Sequence, residues 1–274
     1  MLAIGLILLG IAVGVFGTLI GAGGGFILVP ILLLLYPTAS PETITAISLA
    51  VVFFNAASGS LAYAKMGRID YRSGWIFAAV TVPGAVLGAL TTNLIPRDLF
   101  NITFGLLMIM ASLYLLFKQS ETEGNAGPDS GRWVIHRSLV ERNGEQHRFS
   151  YDLRPGVLIS AAVGYISSLL GIGGGIIHVP ALHRLLRFPV HIATATSHFI
   201  LAIMALAGTL VHFYTGAFSH GGLHRTLWIG IGALVGAQGG ALLAKRIHGS
   251  WIMKSLAIAL GVAGLRIALL SSGH

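Results

Sequence analysis

"GVFGTLIGAGGGFILVP", residues 14 to 30, sets four glycines into five positions, 21 to 25, inside an apolar run. Glycine weakens a helix interior and readily takes left-handed backbone conformations, so a helix entering this stretch is expected to break there. A second stretch, "GYISSLLGIGGGIIHVP" at 164 to 180, matches it at nine of seventeen positions with a constant offset of 150 residues. The likeness continues downstream: "AISL" at 46 faces "ATSH" at 195, "GSLAY" at 59 faces "GTLVH" at 208, and "GAVLGA" at 84 faces "GALVGA" at 232. The chain is two copies of one unit.

Composition says where the unit lives. Of the 274 residues 55% are hydrophobic and 9% charged, with a mean hydropathy of +0.83, whereas a soluble domain carries about a quarter charged residues. Apolar segments at 2 to 20, 43 to 64, 74 to 95, 99 to 117, 192 to 214, 226 to 244 and 252 to 270 approach or exceed the ~20 residues that cross a hydrocarbon core. They are expected to be helices, because an isolated strand cannot satisfy its backbone in lipid. The first segment lacks a basic n-region and a convincing cleavage site, and reads as a retained helix. The pI near 10 reflects Lys and Arg scattered at segment ends, not a basic stripe interleaved with aromatics, so no nucleic-acid partner is expected. With no cysteine, disulfides, thiol catalysis and thiolate metal sites are excluded.

Between the copies, residues 118 to 155 hold twelve of the 26 charged residues. Within them, "RWVIHRSLVERNGEQHRFSYDL" contains two partly alternating runs around Asn143-Gly144, a pair suited to a type I′ turn. The expectation is a small β-hairpin outside the bilayer; a disordered linker is the alternative. The chain thus divides into a first membrane repeat (1–117), a cytoplasmic connecting loop (118–155) and a second membrane repeat (156–274).

Lys and Arg in short loops favour the cytoplasm. In the first copy "YPTASPET" (36 to 43) has none, "KMGRIDYR" (65 to 72) has three, the link at Pro96 has one balanced by Asp98, and the central loop has many. In the second copy Arg184 and Arg187 follow the glycines, "YTGAFSHGGLH" (214 to 224) lacks Lys and Arg, and "AKRIH" (244 to 248) is basic again. Matching loops therefore carry opposite preferences, as in an inverted repeat with an odd number of membrane elements per half. The expected fold is an all-α polytopic membrane protein of two inverted helical repeats. Each has a long helix, a short helix turning back after the glycines (26 to 36, and 176 to 186), and three spans. Parallel copies with four spans each are the alternative, and would leave Arg184, Arg187, Lys245 and Arg246 outside.

The glycine clusters are neither G-x-G-x-x-G nor Walker loops, and no βαβ context surrounds them. In a bilayer, irregular backbone survives only beside protein or a water-filled cavity, and a break exposes the first N–H groups of the next helix, which attract anions. Gly23, Gly24 and Gly25, with Gly173, Gly174 and Gly175, are therefore candidate anion-binding backbone; tight helix packing is the competing use. Further donors are Ser48 and Asn55 in the first copy, and Thr196, Ser197 and His198 in the second, with His198, His178 and His212 standing where the first copy has Leu49, Leu28 and Tyr63. Such side chains also serve merely to join helices. Gln238 is a further candidate substrate-binding residue, with helix glue as its competing use; it lies among Gly232, Gly236 and Gly240, whose four-residue spacing suits close helix contact, a homodimer contact included. No Asp or Glu follows Asp152, so an anion path fits the second half, whereas a cation site of paired carboxylates or a proton relay through buried carboxylates lacks its parts. No metal or cofactor is expected. An intramembrane hydrolase using Ser167 or Ser168 lacks any nucleophile elbow, so the protein is not expected to be an enzyme.

"GAGGG...VP" and "GIGGG...VP", each followed 16 to 20 residues later by "TAISL" or "TATSH", resemble the TauE/SafE family of bacterial sulfite and organosulfonate exporters, over both membrane halves but not the central loop. The resemblance implies a multi-pass carrier in the cytoplasmic (inner) membrane for a small anion, such as sulfite or a sulfonate like sulfoacetate. An anion channel, or a carrier of another small anion, remains the alternative.

Overall fold

The computed structural model describes residues 2–117, 131–218, 221–244, 257–258, 260–262 and 264–265. In chain order these form α1 (Leu2–Ile20), α2 (Gly25–Leu35), α3 (Pro41–Met66), α4 (Tyr71–Thr91) and α5 (Arg97–Phe117), then strands β1 (Val134–Val140) and β2 (Gln146–Asp152). The second repeat follows as α6 (Leu153–Leu170), α7 (Gly175–Pro180), a π-helical turn at Ala181–Leu185, α8 (Val190–Tyr214) and α9 (Gly222–Ala244). Six of these helices, α1, α3, α4, α6, α8 and α9, are long and apolar enough to cross a membrane, while Gly25–Leu35 is shorter. The protein is an all-α polytopic membrane protein. Lys245 and Arg246 of the basic "AKRIH" motif, and most of the last apolar segment, lie outside the described residues.

Both helix breaks fall at the glycines, and at the same positions of the repeat. Gly21, Gly23 and Gly24 have φ of 80°, 75° and 84°, and Gly171, Gly173 and Gly174 have 70°, 82° and 71°, values that cost a residue with a Cβ appreciable strain. The short helices that follow are alike at first. α2 runs through Pro30 to Leu35, whereas the second copy widens to a π turn straight after Pro180 and ends at Leu185, two residues before Arg187, whose φ is 57°. Helix α3 is bounded by local chemistry. Ser40 accepts the Thr43 N–H at 3.2 Å and Pro41 occupies the first turn, where no donor is missed, while Gly67 closes the other end at φ 74°.

Helices are joined mainly across the repeats. α1 runs alongside α9 with Gly10 and Gly14 facing Gly232, Ala233 and Gly236; a side chain on Gly14 would meet the Ala233 carbonyl at 2.6 Å. In the equivalent pairing, α4 runs alongside α6, and a side chain on Gly84 would meet the Ala161 carbonyl at 2.6 Å. The stripe of Gly232, Gly236 and Gly240 is therefore occupied by α1 of the same chain. At the centre, α3 and α8 cross antiparallel: Glu42 is near Thr215 (3.1 Å), Gly208 beside Leu49, Gly59 beside His198, and Asp70, just beyond α3, beside Thr196.

β1 and β2 pair antiparallel from Val134 with Asp152 to Val140 with Gln146; the connection is not the type I′ turn expected at Asn143-Gly144, because only Gly144 takes a positive φ (89°), and its N–H donates to the Glu141 carbonyl at 3.0 Å. The hairpin docks on the α3–α4 corner and on the segment between α7 and α8, where Tyr151, Phe77, Leu182, Leu186, Phe188 and Ile192 share one buried cluster.

Candidate functional site

The two glycine turns touch. A side chain on Gly25 would meet the Gly171 carbonyl oxygen at 2.5 Å, and one on Gly175 would meet the Ala22 Cα at 2.5 Å. Each turn also rests on the other repeat's central helix. Ser48 of α3 donates to the Gly171 carbonyl (2.6 Å) and Ser197 of α8 to the Gly21 carbonyl (3.3 Å). Val52 flanks both Gly23 and Gly173, and Leu201 flanks Gly23. The backbone contact between turns needs glycine sterically, so part of the motif is explained by packing alone.

Packing does not absorb the turns' N–H groups. Ile27 and Leu28 donate to the Gly24 carbonyl at 3.1 and 3.0 Å, but among the described residues Gly24, Gly25 and Phe26 find no backbone acceptor. In the second turn Ile177 and His178 donate to Gly174 at 3.0 and 2.9 Å and Gly175 to Gly173 at 2.8 Å, which leaves Gly173, Gly174 and Ile176 without a backbone acceptor among the described residues. Unpaired buried donors are costly, and donors gathered where two repeats meet are what a small anion would require.

The polar side chains around the turns are distributed unequally. Beside the first turn, Thr18 Oγ1 donates to Asn55 Oδ1 (2.5 Å) and lies 3.2 Å from His198 Nε2; Asn55 Nδ2 donates to the Gly23 carbonyl (2.9 Å), and the Tyr63 hydroxyl to the Thr18 carbonyl (2.8 Å). Thr18, Asn55, Tyr63 and His198 are all buried, and within this network only His198 Nδ1 is left without a partner. The equivalent positions around the second turn are Ser168, Met204 and His212 of the second repeat and Leu49 of the first; Ser168 and Leu49 flank Gly208 as Thr18 and His198 flank Gly59. Here the hydroxyls of Ser167, Ser168 and Thr45, and both ring nitrogens of His212, are buried without a hydrogen-bond partner. Ser167 Oγ would stand 3.0 Å from a side chain on Gly174.

Of the residues expected from sequence, the structure gathers Gly23, Gly24, Gly25, Gly173, Gly174, Gly175, Ser48, Asn55, Ser197 and His198 about this centre. Thr196 instead accepts the Asp70 N–H (3.0 Å) at the start of α4. Gln238 is on α9, donating to the Ser58 carbonyl (2.8 Å) and hydroxyl (2.7 Å), and so ties α9 to α3 away from the turns. His178 contacts Ser160 (3.1 Å). Thr18, Thr45, Ser167, Ser168 and Tyr63 are additions; the repeat alignment pairs Thr18 with Ser168 and Tyr63 with His212 and could have pointed to them.

Two other features lie away from this centre. Trp133, Leu153, Arg154, Val157, Leu158 and Ala161 line an open apolar groove of about 350 Å³ at the opposite end of α6 from Ser168, with the Arg154 guanidinium 5.2 Å from the Trp133 ring. On the hairpin, Glu141, Glu145 and His147 bring ligand-type atoms within 4.8 Å of one another, but Glu141 is held by Arg68 at 2.8 Å, a cation where a metal would need a free carboxylate.

A family model described as Sulfite exporter TauE/SafE matches residues 6–267. The Probable membrane transporter protein YunE of Bacillus subtilis is 33% identical over 268 residues, covering 96% of each chain. A Probable membrane transporter protein of Xylella fastidiosa (strain Temecula1) is 30% identical, over 89% of this chain and 84% of its own length. A third relative, YdhB of Bacillus subtilis, also bearing the name Probable membrane transporter protein, is 28% identical, over 92% and 94%. No solved structure matches the chain.

Proposed function

The chain belongs to the sulfite exporter TauE/SafE family of membrane proteins, and from that premise we propose that it exports a small sulfur-containing oxyanion, sulfite or an organosulfonate such as sulfoacetate, by alternating access. The observation that carries this reading is the meeting of the two glycine turns, with unpaired N–H groups from both repeats beside buried, unpartnered hydroxyls. Backbone N–H and hydroxyl donors suit a compact oxyanion, and no carboxylate follows Asp152 to repel one. A site shared by two repeats is accessible to opposite faces in turn when the repeats rock against each other. Inversion is supported by the antiparallel crossing of α3 and α8, which are corresponding helices. Efflux of an anion down an inside-negative potential is favourable by ~2.3 kcal/mol per charge per 100 mV, so the potential alone can drive it.

The test is flux through purified protein in proteoliposomes, comparing sulfite, sulfate, sulfoacetate and chloride with and without a pH gradient. Saturable flux of sulfite or sulfoacetate is expected. Flux rising linearly with concentration would mean a channel, and flux of chloride alone would refute the sulfur-oxyanion assignment.

A further inference from the structure

We infer that the β-hairpin between the repeats is a clasp that holds its own face of the carrier shut and must release for that face to open; this rests on the alternating-access reading. The hairpin is bonded to both repeats at once. On the first, Arg137 Nε lies 3.0 Å from both carboxylate oxygens of Asp70 and its Nη2 2.5 Å from one of them. Arg68 Nε bonds Glu141 at 2.8 Å, and the Arg142 N–H donates to the Met66 carbonyl at 3.1 Å. On the second, Phe149 and Tyr151 pack tilted against Phe188 with ring centroids 4.5 and 5.1 Å apart. A hydroxyl pair, Ser73 and Tyr151 at 2.6 Å, joins the ionic and aromatic halves.

Two properties make this a switchable contact rather than filler. A lone two-stranded hairpin is at best marginal in water, so this one depends on its docking and has two states, seated or released. The seat is built from charges: the Asp70 side chain is fully buried and the Glu141 side chain 4% exposed. Buried ion pairs contribute little stability compared with apolar packing, yet removing one partner strands the other, which favours all-or-none release. The seat is also wired to the candidate site. The Asp70 N–H donates to Thr196 on α8, the residue before Ser197, whose hydroxyl reaches the Gly21 carbonyl of the first turn. Repeats cannot rock apart at this face while one clip grips both corners.

The chain has no cysteine, so introduced pairs are unique. In Phe149→Cys/Phe188→Cys protein, bridging with a short bifunctional methanethiosulfonate should stop sulfite flux, and reduction should restore it. Should that pair not fold, Arg137→Gln in an Ala193→Cys background gives an independent reading. Ala193 is fully buried beneath the hairpin, and a loosened clasp should raise its labelling by a membrane-impermeant maleimide about tenfold. Bridged protein that carries sulfite as fast as reduced protein, or labelling unchanged by Arg137→Gln, would overturn the clasp. Unbridged protein with no flux of any tested anion would count against the transport reading, while the labelling still decides the clasp.

Discussion

Gly25 of the first repeat stands against the carbonyl of Gly171 in the second with no room for a side chain between them, and Gly175 stands against Gly21 and Ala22 in the reciprocal place. Gly25→Ala and Gly175→Ala should therefore each lower stability by about 1–3 kcal/mol, the usual cost of overpacking. Gly5→Ala, where nothing lies within 4 Å of an added Cβ, should not. Thermal unfolding in detergent reads the difference. Valine at Gly24 or Gly174 cannot isolate an effect on transport, because both have positive φ and abut Val13 or Ser167, so folding would suffer as well.

The unpartnered donors give a cleaner separation. If the anion takes hydrogen bonds from Ser167 and Ser168, Ser168→Ala should raise the KM for sulfite about tenfold, because a bond to a charged group contributes ~1.5–3 kcal/mol. Stability should be unchanged or higher, since an unpaired buried hydroxyl is removed. Thr18→Ala breaks the bonds to Asn55 and His198 on the other side and should instead lower the melting temperature. A Ser168→Ala protein with unchanged flux kinetics would remove that serine from the site.

The sequence carried the repeat, the helix breaks and the hairpin, because each rests on local chemistry: glycine backbone freedom, apolar length, and two alternating runs around a glycine; the turn type at Asn143-Gly144 it did not carry. It carried less about side-chain partners. His198 read as a free donor because spacing alone shows the helix it sits on, not Thr18 on α1 as its neighbour across 180 residues. Gln238 read as a site residue for the same reason; its partner Ser58 is on a different repeat. Asp70 stands in sequence between two apolar segments, and its burial comes from partners distant in the chain, Arg137 of the hairpin and Thr196 of α8. Long-range pairings of this kind are set by how whole helices stack, which a single sequence does not display.

Topology is testable by the same cysteine-free background. Thr38, between α2 and α3, and Gly216, after α8, lie at the same end of the α3–α8 crossing, where Thr215 meets Glu42. Asn143, at the hairpin tip, belongs to the other end. Single cysteines at 38 and 216 should react with impermeant maleimide from outside intact cells, and one at 143 only after permeabilisation. Residue 216 reacting on the same side as 143 would contradict inverted repeats.

Alkaline pH should weaken the docked hairpin through Tyr151. Its hydroxyl is buried against Ser73 at 2.6 Å, and burial pushes its pKa above the ordinary tyrosine value of 10, with the Ser73 hydrogen bond opposing that shift. Arg137 is raised too, chiefly by its hydrogen bond to Asp70, and stays charged throughout. A folded-state pKa raised above the unfolded one means the folded protein holds its proton longer. The associated stability is thus fully present below pH 10 and is lost as pH rises from 10 through the folded value. Tyr151→Phe should lose ~1 kcal/mol at neutral pH with the hydrogen bond to Ser73, yet show a flatter decline above pH 10. Limited proteolysis across the Asn143-Gly144 turn, run against pH on both proteins, measures it; equal alkaline slopes would show that the Tyr151 hydroxyl does not govern docking.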